Sequence, residues 1–150
     1  MAVLSWGKPT IKISKLDNNG DPTTWIDIDN PKEDTTTLAT TQGDKLEATG
    51  EGGAQVDVMY KRSTYELNFT LFQAKNKTKP VADDDGVITG VYAIKVQPED
   101  KDLEGIRIDK ASLSCQDSWD AQGGGLWQYT ASVLVPDDNS TQIKWEKITF

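Results

Sequence analysis

A chain of 150 residues buries about 70% of the surface that its unfolded form exposes, so a single domain over 1–150 needs no disulfide or metal to fold. Its 24 acidic residues outnumber 16 basic ones, and a net charge of -8 argues against sequence-specific nucleic-acid binding. With no histidine and one cysteine, Cys115, most catalytic and metal-binding chemistry lacks its usual side chains. We expect no enzyme activity, no catalytic residue, no cofactor and no metal.

From its sequence we expect no signal for export or membrane insertion. Its start has no basic region before an apolar run, and no stretch reaches the roughly 20 apolar residues that span a bilayer. We expect a protein that remains in the cytoplasm, with no membrane partner. Cys115 alternates with Ala111 and Leu113, which favours a buried thiol in a reducing compartment.

The first predicted element is a β-hairpin. Two alternating segments, 10–16 and 23–28, flank a turn in which Asn19-Gly20 supplies the backbone freedom that a tight turn needs. After it, residues 30–45 are polar throughout except for Leu38 and Ala39. A connection of this length usually carries function or is disordered, so we predict a long polar loop at 30–45.

Strand patterns resume at residue 46. A glycine-rich turn at 50–53 separates 46–49 from a long extended region at 54–73. Apolar residues there fall first on even positions and then on odd ones, which predicts a bulge or bend near 61–63. We expect both sets to face the core: Val56, Val58 and Tyr60, then Tyr65, Leu67, Phe69 and Leu71.

The remaining strands are predicted at 87–96, 105–115, 126–135 and 142–150, and 74–86 is the only candidate for a short helix. The resulting fold class is mainly β: an antiparallel β-sandwich or barrel of about eight strands with at most one short helix.

Several patterns suggest binding sites and are better explained as turns or solvated charge. Asp17, Asn19 and Asp21 have part of a calcium-loop spacing, but glycine and glutamate are missing at its later positions. The acidic run 83–85 lies on a predicted loop, and the glycine runs 50–53 and 123–125 open no helix that would hold a phosphate. A glycosidase pair among the many carboxylates cannot be established from spacing.

Five tryptophans are many for this length, and exposed indoles in a β-sandwich can stack on sugars: Trp6, Trp25, Trp119, Trp127 and Trp145. A carbohydrate-binding module is therefore one hypothesis. Burial in the core or in a subunit contact is the commoner fate of such residues. We choose Val3, Leu4 and Trp6 as candidate subunit contacts, because this apolar segment has no evident strand partner.

Five features together resemble phage tail tube proteins and the tube-forming proteins of contractile injection systems. These are the early hairpin, the polar loop 30–45, the turn Gly43-Asp-Lys-Leu-Glu-Ala-Thr-Gly50-Glu-Gly-Gly, the strands around 65–71, and Gly123-Gly-Gly-Leu-Trp-Gln-Tyr129 followed by Pro136-Asp-Asp. The resemblance implies a structural protein with one short helix. Its copies form rings, usually hexameric, that stack into a tube conducting DNA or effectors.

The same resemblance implies partners and a location. The long loop would reach the neighbouring ring, which makes Thr36, Thr37 and Leu38 further candidate contacts. The partners would be other copies and other tail proteins, in a virion tail assembled in the bacterial cytoplasm, from a phage or prophage.

A tube also implies a lumen, and an acidic lumen lets DNA slide. If the odd apolar positions of 65–71 enter the core, Glu66, Asn68 and Thr70 face the other way. The same alternation adds Gln55 and Asp57, so these five are the candidate lumen face. The alternative is that they face bulk solvent outside the ring, because alternation fixes the face of a side chain and not what lies beyond it.

Overall fold

The computed structural model describes residue 4 and residues 6–149. In this part of the chain there are ten strands: β1 (Thr10–Leu16), β2 (Pro22–Asp27), β3 (Thr37–Thr41), β4 (Lys45–Thr49), β5 (Gln55–Tyr60), β6 (Thr64–Phe72), β7 (Tyr92–Gln97), β8 (Gly105–Asp120), β9 (Gly124–Val133) and β10 (Ile143–Glu146). A short 3₁₀ turn at Glu51–Gly53 lies between β4 and β5. The predicted fold class is confirmed, because the structure is mainly β and its strands pair antiparallel.

Eight strands form one large sheet. Its order is β2-β1-β7-β8-β9-β6-β3, and β10 pairs with the first part of β8. The first hairpin is as predicted: the amide of Gly20 donates to the carbonyl of Asp17, and β1 pairs with β2. Residues of β1 and β7 share one hydrophobic core with residues of β6 and β9. The sheet therefore curves over its own buried face, as in a sandwich.

The core consists mainly of the alternating apolar residues of the central strands. Phe69 on β6 and Tyr129 on β9 are directly paired, and their rings stack with centroids 5.5 Å apart. The odd-position prediction for β6 is confirmed for Leu67, Phe69 and Leu71, which are buried, while Tyr65 is half-buried against the core.

Strand β8 is long because its two halves pair with different strands. Residues 105–108 pair with β7 and β10, whereas Ala111–Asp120 pairs with β9. The side chains that contact the core change from even positions (Ile106, Ile108) to odd ones (Ala111, Leu113), and the register with β7 shifts at the same point. A bulge at this point bends the strand and lets both halves cover the same core.

Strands β4 and β5 form a separate two-stranded sheet that pairs with no other strand in the described chain. The prediction that Val56, Val58 and Tyr60 face the core is therefore wrong. Val56 and Tyr60 are exposed and Val58 is only half-buried. The predicted break at 61–63 is present, and there the chain passes from one sheet to the other.

Two further predictions need correction. The polar segment 30–45 is not a continuous loop, since Thr37–Thr41 forms β3, the edge strand beside β6, with Leu38 packed against the core. Pairing with β6 satisfies the backbone groups of β3 that face it, and this compensates for the weak strand pattern of the segment. The segment 74–86 contains turns and an isolated bridge at Asp84 but no helix. The resemblance to tail tube proteins loses that support.

Candidate functional site

The most prominent surface feature is the β4–β5 hairpin, which we call the knob (Lys45–Tyr60). Its apolar side chains are largely exposed: Val56 is 73% exposed, Met59 61% and Tyr60 55%. Such a concentration of exposed apolar area on a projecting element is typical of an interaction site.

The knob is apolar on both of its faces. Leu46 pairs with Met59, so these two side chains share one face of the hairpin. Val56, Val58 and Tyr60 alternate with Met59 along β5 and lie on the opposite face. A strand pair that packs on a core through one face shows polar residues on the other, and the knob does not follow that pattern.

Glycines shape both ends of the knob. Gly52 and Gly53 at its tip have φ values of 84° and 86°, which favour glycine. At its base, a Cβ on Gly43 would lie 2.0 Å from the carbonyl oxygen of Lys61, so only glycine allows the chains to approach. The backbone conformation of Gly52 and Gly53 confirms that the run 50–53 is a turn.

A second feature is a cleft of about 940 Å³ that we call the Trp6–Trp145 cleft. Segments far apart in sequence line it, including the one before β1, the one before β3, and strand β10. Trp6 is 76% exposed and Trp145 58% exposed. No residue between 44 and 61 contributes to the cleft, so it is a surface distinct from the knob.

The cleft brings together most of the predicted subunit contacts. Trp6, Thr36, Thr37 and Leu38 all line it. Leu4 is exposed, and Val3 lies outside the described residues. Sequence reasoning missed Trp145, which alternation on a short terminal strand did not distinguish from a core residue.

The candidate lumen residues do not share one strand pair. Gln55 and Asp57 lie on the knob, whereas Glu66, Asn68 and Thr70 lie on β6 in the large sheet. Glu66 is exposed, Asn68 accepts a hydrogen bond from the Thr130 hydroxyl at 2.9 Å, and Thr70 is buried. The assignment of a lumen face stays a prediction for the exposed members of the set.

Asp83, the first residue of the acidic run 83–85, is held by the Lys79 side chain. The ammonium group of Lys79 lies 2.6 Å from a carboxylate oxygen of Asp83 and 2.8 Å from one of Asp117. Hydrogen bonds from Lys79 and from the Gly86 amide lower the pKa of Asp83, and the same ion pairs raise the pKa of Lys79. Asp83, Asp117 and Cys115 lie close together as metal ligands would, but Lys79 already supplies the positive charge.

This cluster is structural. The Tyr129 hydroxyl donates to the carbonyl of Val81 at 2.7 Å, which fastens the same segment over the core. Cys115 is buried as predicted, and burial raises the pKa of its thiol to about 11. A thiol in this state is a poor nucleophile at neutral pH.

A small open pocket lies at the far end of β8 and β9. Trp119 is 74% exposed there, beside Trp127, Gln73 and Asp117. Gly125 allows the Gln73 side chain to approach, because a Cβ at this position would lie 3.0 Å from the Gln73 Cβ. An exposed indole beside an amide and a carboxylate is a composition that suits a sugar ring.

The other candidate ligand positions form turns. The Asp17 carboxylate accepts hydrogen bonds from the amides of Asn19 and Asp21, which stabilises the first hairpin. Asp120 accepts from the amides of Gln122 and Gly123 in the turn between β8 and β9. Among the residues the structure describes, no helix is long and apolar enough to cross a membrane.

No protein-family model matches this sequence, and no curated protein matches it either. The knob and the Trp6–Trp145 cleft, taken with the chemistry of their side chains, are therefore the basis for inferring function.

Proposed function

We propose that this protein is a structural subunit that associates with copies of itself, and that its assemblies are rings stacking into a tube. The exposed, two-sided apolar surface of the knob is the observation that carries the proposal. Exposure of Val56, Met59 and Tyr60 to water is unfavourable, so covering them with another surface stabilises the assembly.

The composition of the chain supports a structural role over a catalytic one. There is no histidine, the only thiol is buried with a raised pKa, and Asp83 of the acidic run is paired with Lys79. A net charge of -8 suits a conduit for DNA, since an acidic wall repels phosphate. The proposal of rings and of a tail tube rests on the sequence resemblance. Self-association rests on the knob.

The test is the mass of the protein in solution. We expect wild-type protein to form species well above 16.5 kDa in sedimentation experiments, and rings or tubes in electron micrographs of concentrated samples. Val56→Lys with Met59→Lys removes two apolar contacts worth roughly 1.5 kcal/mol or more each, so association should weaken about 100-fold.

The paired control is Val87→Lys with Trp119→Lys, which alters exposed apolar residues away from the knob and leaves association unchanged. A wild-type protein that stays monomeric up to millimolar concentration contradicts the proposal.

A second candidate function is carbohydrate binding at the Trp119 pocket, favoured by the exposed indole beside Gln73 and Asp117. Titration with chito-, cello- and malto-oligosaccharides should then change tryptophan fluorescence, and Trp119→Ala should abolish the change. Trp25→Ala is the matched control. A response that survives the loss of the Trp119 indole contradicts this candidate.

A further inference from the structure

We propose that Asn19-Gly20, in the turn between β1 and β2, is a site of spontaneous deamidation, and that aspartate and isoaspartate form there as the protein ages. Asn19 is exposed, and Gly20 follows it directly. The turn lies outside the knob and outside the Trp6–Trp145 cleft, so this reaction is independent of the proposed self-association.

The reaction needs water and no other reactant. The main-chain nitrogen of Gly20 attacks the side-chain amide carbon of Asn19, which closes a five-membered succinimide ring and expels ammonia. Water then opens the ring at one of its two carbonyls. Opening at one carbonyl leaves aspartate. Opening at the other leaves isoaspartate, in which the main chain runs through the former side chain.

The sequence selects Asn19 for this reaction. It is the only asparagine of the chain that precedes a glycine. A side chain on the following residue hinders attack by its nitrogen, and glycine has none. Asn30 precedes Pro31, whose nitrogen carries no hydrogen, so that pair cannot react in the same way.

The fold requires the glycine of this pair. Gly20 has a φ of 82°, which favours glycine. A Cβ at this position would also lie 3.1 Å from a carboxylate oxygen of Asp137. Another residue at position 20 would strain the turn, so Asn19 keeps its reactive neighbour.

The closed turn restrains the attacking nitrogen. Gly20 donates its N–H to the carbonyl of Asp17 at 3.1 Å. The Asp17 carboxylate accepts hydrogen bonds from the amides of Asn19 and Asp21, at 2.9 Å and 3.0 Å. A nitrogen held as a donor is not free to attack, so the turn must open before the ring can close. Asp17 therefore controls the rate.

This end of the hairpin is weakly held. Strand β2 lies at the edge of the sheet, and every residue in it except Trp25 is exposed. The register of β1 with β2 shifts between Ser14 and Leu16, beside the turn. Exposed backbone hydrogen bonds at such a site open locally at little cost in free energy. The folded protein therefore reaches the reactive form without unfolding as a whole.

Deamidation changes the turn in two ways. It moves the net charge from -8 to -9 (-8 - 1 = -9), and the new carboxylate lies in the sequence between Asp17 and Asp21. Isoaspartate also lengthens the main chain inside a turn that the bond from the Asp17 amide to the Asp21 carbonyl closes. We expect modified protein to lose this turn, while β1 stays paired with β7.

Mass spectrometry of aged protein tests the proposal. The purified full chain is incubated in mildly alkaline buffer below its melting temperature and digested with trypsin, and the peptide 16–32 is fragmented. Asn18, Asn19 and Asn30 all lie in this peptide, so two of them serve as internal controls. We expect aspartate and isoaspartate at Asn19 roughly tenfold or more above the level at Asn18, and none at Asn30.

Two variants test the mechanism. Asn19→Gln should remove the modification, because glutamine closes the corresponding larger ring far more slowly. Asp17→Ala removes the acceptor of two amide hydrogen bonds and should accelerate the reaction about threefold or more. Circular dichroism verifies that both variants fold. An unchanged rate in Asp17→Ala overturns the control assigned to this turn.

Incubation in guanidinium chloride separates the effect of the fold from the chemistry of the sequence. If Asn19 reacts in the denatured chain and stays intact in the folded one, the turn does not open and the proposal is overturned. Modification of Asn18 or Asn139 to the same extent as Asn19 overturns it as well.

Discussion

The Lys79 side chain supplies the positive charge that a cluster of carboxylates would otherwise take from a metal ion. Its ammonium group holds Asp83, whose side chain is only 4% exposed, and Asp117, which is mostly exposed. The partners lie on separate segments, so the ion pairs fasten the connection before β7 to strand β8. Asp83, the first of three consecutive aspartates, thus serves the fold.

The sign of the pKa shifts predicts how this cluster depends on pH. The pKa of Asp83 is lowered, so its contribution to stability is present above the ordinary value of 3.8 and is lost as pH falls through the lowered value. The pKa of Lys79 is raised, so its contribution is complete below the ordinary value of 10.5 and is lost as pH rises through the raised value.

We therefore expect Lys79→Met to lower the melting temperature most between about pH 5 and pH 9, with the difference from wild type shrinking below pH 4. Thermal unfolding followed by circular dichroism across this range measures the effect. Lys77→Met is the control, because Lys77 forms only an exposed, 3.5 Å pair with Asp29. A difference that stays constant from pH 3 to pH 7 contradicts the role assigned to the ion pairs.

At the level of elements, β3 and the knob have opposite relations to the core although they follow each other in the chain. Strand β3 pairs along its whole length with β6, and its Leu38 packs against the core. The knob strands pair with each other and bury none of their side chains fully. One element supports the fold, and the other presents a surface.

This contrast predicts different costs of removal. Replacing 37–41 with a Gly/Ser linker should lower the free energy of unfolding by about 2–4 kcal/mol, because the pairing with β6 and the packing of Leu38 are lost. Replacing 46–60 with a short turn should change it by less than about 1 kcal/mol. Urea denaturation measures both, and the reverse order contradicts the assignment.

At the scale of the whole molecule, one curved sheet supplies the stability and leaves the working surfaces outside it. Strands β1, β6, β7, β8 and β9 enclose the core, which includes Cys115. The knob consists of β4 and β5, and the Trp6–Trp145 cleft is lined largely by connections, β3 and β10, together with Leu67, Val96 and Ile106 of the central strands. Changes on these surfaces should therefore alter association more than folding.

The sequence by itself determined the class of the fold and much of its core. Alternation predicted the buried face of β6, Asn19-Gly20 predicted the first turn, and the shift of parity predicted the break after β5. These properties follow from local backbone geometry and from the two-residue period of a strand, so one segment contains all the information they need.

Only the tertiary structure decided which apolar strands are covered. Val56 and Tyr60 have the same alternation as Leu67 and Phe69, yet the first pair is exposed and the second is buried. Met59 lies at an odd position, whereas Val56 and Tyr60 lie at even ones, and this was the one local sign that β5 is apolar on both faces. Alternation assigns side chains to faces, but what lies against a face depends on segments distant in sequence. For the same reason, β3 could be recognised as a strand only from its pairing with β6. The proximity of Trp6 and Trp145, which line one cleft, could likewise be recognised only from the tertiary structure.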